Sequence, residues 1–257
     1  ETIGVNKSTK MKLTMNVLII TRNFYPYNNI GSFRINSFAK YFRKAGNSVT
    51  VVAEGERDEA ITWNGCDIHY IKDPIMTPKY LHNLEQKNKK WTLRRVIRAL
   101  ESRIFLGGPC IWRAKTCKKV EELFQKNNFD VALSSYGPLT PHALVMKVLK
   151  KRYKFFWVAD MRDEMSKLPY YSKIHTKRLA FYERNILEKA DLVLSVSKPL
   201  IDDFKTMCSH DRFLEVRNGY DYEECYEVNF QPQFTMGYIG RFYWMATPDN
   251  FLRPFRN

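Results

Sequence analysis

The sequence contains no long apolar run and no paired cysteine motif. No stretch approaches the ~18 consecutive apolar residues of a membrane-spanning helix, and residues 1–15 lack the apolar core of a secretory signal. The five cysteines are widely spaced without a C-x-x-C pair, which argues against a disulfide scaffold and against a zinc cluster. We therefore expect no metal, and a cytoplasmic protein that at most lies peripherally on the inner face of the cytoplasmic membrane.

Acidic residues are scarce relative to basic ones. Forty-two Lys and Arg oppose 27 Asp and Glu, which gives a formal charge of +15. The expected partner is therefore anionic: nucleic acid, acidic lipid or a phosphorylated small molecule. The basic residues are spread over several predicted helices and no nucleic-acid-binding motif is present, so nucleic acid ranks last.

Short β-branched runs alternate with helical patterns from Asn16 onward. This alternation is typical of a parallel sheet flanked by helices. The predicted strands are residues 16–21, 48–53, 67–71, 129–135, 154–160, 191–196 and 213–217. The predicted fold class is α/β, a Rossmann-like parallel sheet.

Helical periodicity is clearest in two regions. An apolar stripe with i, i+3, i+4, i+7 spacing follows Ser32, the predicted N-cap of a helix that starts near Phe33 and ends at Gly46. Residues 84–127 form a second region that is amphipathic and strongly basic. This region either packs on the sheet with its cations in solvent or contacts anionic lipid.

The predicted domain organisation has four parts. Residues 1–15 form an N-terminal extension and residues 16–219 form one Rossmann-like domain. Residues 220–233 are an acidic, aperiodic linker, and residues 234–257 open a second domain with a predicted strand at 234–241. A second Rossmann domain needs on the order of 100 residues, so we expect the second domain to be truncated.

Polar residues follow the first and fifth predicted strands. In a doubly wound sheet, ligands bind beyond the carboxyl ends of the strands, where helix amino-termini present N–H groups to anions. Gly31 and Arg34 follow the first strand, where they either hold a phosphate or sugar hydroxyl or only make a turn with a solvated arginine. Asp160, Arg162 and Asp163 follow the fifth strand, where they either contact sugar hydroxyls and accept a proton or only cap a turn.

The loop after the fourth strand supplies one more candidate. Tyr136 lies at the same predicted edge of the sheet and is a candidate substrate contact. His142, soon after it, is interpreted as an ordinary first-turn residue of the next helix rather than a catalyst. No G-x-G-x-x-G motif marks a dinucleotide site.

Five segments, taken in order, resemble the family-four retaining glycosyltransferases of the GT-B fold, and especially the bacterial branch that builds surface polysaccharides. The segments are NFYPYNNIGSFRINSFAKYFRKAGNSVTVVA, WVADMRDEM, KRLAFYERNILEKADLVLSVSKPLIDDF, EVRNGYDYEECY and YIGRF. The likeness runs from Asn16 to Arg241 and identifies residues 16–219 as the N-terminal, acceptor-side domain of such an enzyme.

The resemblance implies a hexosyltransferase that uses a nucleoside-diphosphate sugar as co-substrate, with no cofactor. The sugar would be transferred, with retention of configuration at its anomeric carbon, to a glycan or polyprenyl-linked acceptor in surface polysaccharide biosynthesis. Gly31 and Arg34 would line the cleft, and Asp163 would face the reacting sugar as the catalytic residue. Gly240 and Arg241 would bind the donor phosphates.

The chain departs from the family pattern on its donor side. No lysine follows Arg241, and the sequence ends before the family's spaced glutamate pair. We therefore expect little or no transfer by this chain alone. The alternative is a non-catalytic module, derived from a glycosyltransferase, that binds a glycan or a lipid-linked sugar. Glu183 and Asn218 are predicted to be architectural.

Overall fold

The computed structural model describes residues 14–27, 29–73, 110–135, 137, 139–167, 172–219, 233–238 and 247–255. The chain divides into two compact units, Glu1–Tyr220 and Asp221–Asn257. Among the helices of these described ranges, none is long and apolar enough to cross a lipid bilayer.

The first unit is built on one eight-stranded sheet. Its strands are β1 (Asn16–Ile20), β2 (Ser48–Gly55), β3 (Glu59–Trp63), β4 (Cys66–Lys72), β5 (Val131–Ser135), β6 (Phe156–Asp160), β7 (Leu192–Ser195) and β8 (Phe213–Glu215). Their order is β3-β4-β2-β1-β5-β6-β7-β8. The β3–β4 pair is antiparallel and the other neighbouring pairs are parallel.

Helices lie on both faces of this sheet. They are α1 (Ile30–Lys44), α2 (Cys110–Lys126), α3 (Thr140–Leu144), a π-helical segment (Val145–Leu149), α4 (Lys150–Arg152), α5 (Lys173–Lys189) and α6 (Lys198–Lys205). The predicted Rossmann-like α/β fold is confirmed. In the second unit, the structure describes α7 (Asp249–Leu252) and a 3-10 turn (Arg253–Phe255).

Alternating side chains of the central strand supply two separate cores. Val17 and Ile19 pack with α1 on one face, whereas Leu18 and Ile20 pack with α2, α3 and α5 on the other. Fully burying a branched aliphatic side chain contributes about 1.5–3 kcal/mol. A strand with apolar residues on both faces is therefore stable only where helices cover both faces.

The chain reverses its direction across the sheet between β1 and β5. From β1 it proceeds to β2, then to β3 at the sheet edge and back to β4 between β3 and β2, whereas from β5 it proceeds in the opposite direction to β6, β7 and β8. β1 and β5 are nevertheless direct neighbours, with Val17 opposite Val131 and Ile20 opposite Ser134. Doubly wound sheets bind ligands at such a switch point, so the loops after β1 and β5 frame the candidate site.

The helix α1 begins earlier than predicted. Its N-cap is Asn29, whose Oδ1 accepts the Ser32 N–H at 2.9 Å, while Ser32 Oγ accepts the Asn29 N–H at 3.2 Å. These two bonds form a capping box. The prediction of Ser32 as the N-cap was wrong. Serine has the chemistry for both positions of a capping box, the N-cap and the N3 position, and here it occupies N3. Gly46, with φ of +91°, follows the helix end as predicted.

Strand β3 was not predicted. Its middle residues are exposed, so no apolar alternation marks it. The signal that the sequence does carry is the Asn64–Gly65 turn, whose φ angles of 49° and 73° are typical of a tight hairpin.

The strand predicted at 234–241 is not found in its described part. Residues 234–238 are irregular, and Phe234 is 89% exposed. The prediction rested on apolar content, but a strand also needs a neighbouring strand to pair with. The basic region predicted at 84–127 is described only from Cys110 onward, where it forms α2. Residues 84–109 lie outside the described residues.

Candidate functional site

Two glycines and an arginine meet beyond the carboxyl ends of β1 and β5. Gly31 lies in the first turn of α1, and Gly137, with φ of +121°, lies in the loop after β5. A Cβ atom on Gly31 would lie 2.9 Å from Arg162 Nη1, and one on Gly137 would lie 2.8 Å from Arg162 Nη2. A Cβ atom at either glycine would therefore require the end of the Arg162 side chain to shift from its position between the two loops.

Asn23 and the start of α1 complete this arrangement. Asn23 Nδ2 donates to Gly137 O at 3.3 Å, which joins the loop after β1 to the loop after β5. We call Asn23, Gly31, Gly137 and Arg162 the arginine cradle. The Arg162 side chain is 14% exposed and lies beside the amino-terminus of α1. The cation and the helix dipole therefore present positive potential at the same place.

Arg34 and Asp160 form a buried ion pair next to the arginine cradle. Arg34 Nε and Nη2 donate to Asp160 Oδ1 at 3.0 and 2.8 Å, and Ser135 Oγ donates to Asp160 Oδ2 at 2.8 Å. Arg34 Nη1 donates to Val216 O at 2.7 Å and to Asn218 Oδ1 at 3.3 Å. Arg34 thus joins α1, β6 and the segment after β8, and the architectural role of Asn218 stays a prediction.

Burial and charge distinguish the two arginines. The side chains of Arg34 and Asp160 are 4% and 0% exposed, so Arg34 is committed to its carboxylate. Arg162 Nε lies 4.0 Å from Asp160 Oδ2, which places one carboxylate between two guanidinium groups. The sequence-predicted residues Gly31, Arg34, Asp160 and Arg162 therefore lie together, and Arg162 is the arginine nearer to solvent.

A buried hydrogen-bonded chain supports the end of β5. Trp157 Nε1 donates to Ser134 Oγ at 2.8 Å. Ser134 Oγ lies 2.8 Å from His142 Nδ1, so the serine hydroxyl donates its hydrogen to that nitrogen. Burial, and next the positive charge of Arg162, lower the pKa of His142 to about 3. His142 is a neutral, fully buried residue of α3, and its interpretation as an ordinary first-turn residue is confirmed.

The loop that carries Arg162 is held by a buried glutamate of α5. Glu183 Oε1 accepts the Met165 N–H at 2.6 Å, and Oε2 accepts the Ser166 N–H at 3.3 Å and the Ser166 hydroxyl. Burial raises the pKa of Glu183, and these hydrogen bonds oppose the increase. The predicted architectural role of Glu183 is confirmed. Asp163, in the same loop, is exposed.

Three further candidates lie outside the described residues: Tyr136, Gly240 and Arg241. Sequence reasoning missed Asn23, Ser134 and Ser135. The two serines end an apolar strand, where a change to small polar residues is the signal that marks a strand exit. Asn23 carries no comparable signal, because an asparagine in a loop is ordinary.

Comparison with known proteins bears on the fold. No family model and no curated protein matches the chain. The solved structure of sucrose-phosphate synthase from Thermosynechococcus elongatus superposes with a TM-score of 0.54 and 12% sequence identity. The superposition covers 80% of this chain and 49% of that one.

The chain has the Rossmann-like α/β fold of one half of a GT-B glycosyltransferase. It spans about half the length of the sucrose-phosphate synthase chain. A glycosyltransferase from Streptomyces sp. SF2575 (13% identity, covering 73% of this chain and 51% of that one) and a UDP-N-acetylglucosamine 2-epimerase (14%, 82% and 53%) each give a TM-score of 0.38. That score is too low to establish a shared fold.

The GT-B fold accounts for where the arginine cradle lies. In this fold class the carboxyl edge of the sheet is the ligand-binding edge, and the loops after β1, β5 and β6 meet there. Membership of family four and of the polysaccharide branch stays a prediction.

Proposed function

We propose that this chain is the acceptor-side part of a retaining glycosyltransferase that uses a nucleoside-diphosphate sugar. The observation that supports the proposal is the arginine cradle at the switch point of a GT-B sheet, where Arg162 lies against Gly31 and Gly137. The proposed acceptor is a glycan or a polyprenyl-linked sugar of surface polysaccharide biosynthesis. No cofactor is proposed.

The chemistry of the leaving group explains why a fixed cation is needed. Glycosyl transfer separates a diphosphate from an oxocarbenium-like sugar, and preorganised positive groups near the diphosphate lower the barrier. Arg162 is preorganised because the two glycines and the Glu183-anchored loop define its position. The positive end of the α1 dipole adds to the favourable potential for a phosphate.

The remaining predicted residues take parts in the same proposal. Asp163 is exposed beside Arg162, where we propose that it faces the reacting sugar. Tyr136 is proposed to contact substrate, and Gly240 and Arg241 to bind donor phosphate. Residues 16–219 are proposed as the acceptor-side domain.

The proposed cellular location follows from the acceptor. A polyprenyl-linked sugar is held in an anionic leaflet, and each nearby Lys or Arg adds about 1 kcal/mol of attraction. We propose that the basic region 84–127 contributes to peripheral binding at the inner face of the cytoplasmic membrane.

Binding of a UDP- and GDP-sugar panel, measured by isothermal titration calorimetry, tests the proposal. Arg162→Ala should raise the dissociation constant about ten- to a hundredfold, because it removes charge-assisted hydrogen bonds worth about 1.5–3 kcal/mol. The matched control is Arg57→Ala, whose side chain is 77% exposed and paired with Glu59, and it should bind like the wild type. Equal affinity of both variants would contradict the proposal.

Turnover is measured in the same panel as release of nucleoside diphosphate. Any turnover should be lost in Arg241→Ala, because Arg241 is proposed to bind the donor phosphate. Turnover that is unaffected by this change would contradict that role.

A further inference from the structure

Three side chains with metal-binding chemistry meet at the other edge of the sheet. Glu188 lies at the end of α5, and Cys208 and His210 lie in the connection between α6 and β8. One ligand atom from each lies within 4.8 Å of the others. Within the described part of the chain, they are the single group of three such residues that meets this distance. We propose that Glu188, Cys208 and His210 bind a divalent cation of the zinc type.

The topology separates this group from the arginine cradle. α5 and α6 both end where the parallel strands β7 and β8 begin, which is the amino edge of the sheet. The arginine cradle lies at the carboxyl edge. The inference therefore does not depend on the proposed transferase function.

The hydrogen bonds of His210 orient it as a ligand. Its Nε2 lies 2.8 Å from Leu187 O, and its Nδ1 lies 3.2 Å from the Arg212 N–H. A carbonyl oxygen accepts only from N–H, so Nε2 carries the proton and Nδ1 carries the lone pair. Metal-binding histidines characteristically donate their second ring N–H to a carbonyl or carboxylate in this way. The metal would replace the long Arg212 contact.

The carboxylate of Glu188 is oriented by hydrogen bonds. Glu188 Oε1 accepts from Ser209 Oγ at 2.6 Å, and Oε2 accepts from the Ser209 N–H at 3.1 Å. Each carboxylate oxygen has a second lone pair, so Glu188 can bind a cation without giving up Ser209.

The thiol of Cys208 is held only by weak contacts. Its Sγ lies 3.7 Å from Phe204 O and 3.7 Å from His210 O. A bound divalent ion deprotonates a coordinating thiol. Thiolate and carboxylate together balance the charge of a divalent ion.

The ligand set selects the class of metal. A thiolate with an imidazole and a carboxylate suits Zn²⁺ or Co²⁺, whereas Mg²⁺ and Ca²⁺ prefer oxygen ligands alone. Metal–ligand bonds of about 2.0–2.3 Å place tetrahedral ligand atoms roughly 3.5 Å apart. The three ligand atoms now lie within 4.8 Å of one another. Binding one metal ion would bring them about an ångström closer, and the loop that carries Cys208 and His210 allows this movement.

An adjoining pocket leaves room for a fourth ligand. A pocket of about 440 Å³ is lined by Glu188, Cys208, Ser209 and Arg184, among other residues. Three protein ligands with an open fourth position are typical of exchangeable zinc sites. Water or a small anion beside Arg184 fits this position.

Titration of the metal-free, reduced protein with Co²⁺ tests the inference. We expect one equivalent to produce visible d–d bands and a thiolate-to-cobalt charge-transfer band, which Zn²⁺ then removes because it binds more tightly. Cys208→Ser should abolish the charge-transfer band. His210→Gln and Glu188→Gln should weaken Co²⁺ binding about tenfold or more. Mutating residues that only hydrogen-bond to metal ligands already reduces metal affinity by about 10- to 100-fold.

The control is Cys117→Ser. Cys117 Sγ lies 3.7 Å from Glu121 Oε1, so this pair offers a thiol and a carboxylate outside the three-residue group. The control should keep the charge-transfer band at full intensity. A band that survives in Cys208→Ser, or no band in the wild type at millimolar Co²⁺, would overturn the inference.

Thermal unfolding gives a second readout that separates lost binding from lost folding. Zn²⁺ should raise the melting temperature of the wild type and of Cys117→Ser, because a ligand that binds the folded state stabilises it. Cys208→Ser and His210→Gln should unfold cooperatively with a clearly smaller increase at the same Zn²⁺ concentration. An equal increase in the wild type and in these two variants would also overturn the inference.

Discussion

Replacing Arg34 with methionine tests whether the Arg34–Asp160 pair is the structural support of the site. Methionine keeps much of the apolar volume but removes every side-chain donor. The buried Asp160 carboxylate then loses its hydrogen-bonded guanidinium and is left with the longer contact with Arg162, 4.0 Å away. Breaking one partner of a buried ion pair costs about 3–5 kcal/mol. We therefore expect Arg34→Met to lower the free energy of unfolding by about 4 kcal/mol.

Urea denaturation, followed by circular dichroism and tryptophan fluorescence, measures this loss. Arg57→Met is the matched control, because its ion pair with Glu59 is exposed and is worth about 1 kcal/mol or less. Adding Asp160→Asn to Arg34→Met removes the unpaired charge and should recover at least about 1 kcal/mol. An Arg34→Met variant as stable as the control, or a double variant with purely additive losses, would refute this reasoning.

Three further predictions concern the surrounding residues. Gly137→Ala forces a left-handed residue against Arg162 and should cost about 1–3 kcal/mol and weaken UDP binding; unchanged binding would contradict this. His142 should show no imidazole titration by NMR between about pH 5 and 8. The folded pKa of His142, about 3, lies below its unfolded pKa of about 6.5. The contribution of His142 to stability should therefore be fully present above about pH 6.5 and be lost as the pH falls toward 3. An imidazole titration between about pH 5 and 8 would refute this prediction. Glu183→Ala should remove hydrogen-exchange protection from the Met165 amide, whereas retained protection would contradict the anchoring role.

The central sheet could be predicted from the sequence because its strands are apolar on both faces. Runs such as NVLII and VALSS give a strong local signal. Strand β3 gives none, since it lies at the sheet edge with exposed residues. The choice between Asn29 and Ser32 as N-cap also depends on geometry, because both side chains have capping chemistry.

The candidate site could be predicted only in part. The strand exits locate Gly31, Arg34, Asp160 and Arg162 at one edge. The sequence does not indicate that Arg34 binds Asp160, because the two residues lie on distant elements that only the strand order brings together. The contact of Arg162 with both glycines depends on backbone position to within an ångström, which no residue pattern encodes.

The arginine cradle is proposed to bind the diphosphate of a sugar nucleotide. Amide chemical-shift mapping during titration with UDP and GDP measures this binding residue by residue. We expect shifts at the amides of Gly31, Ser32 and Gly137 that disappear in Arg162→Ala. Shifts confined to residues away from the carboxyl edge of the sheet, or shifts unaffected by Arg162→Ala, would contradict it.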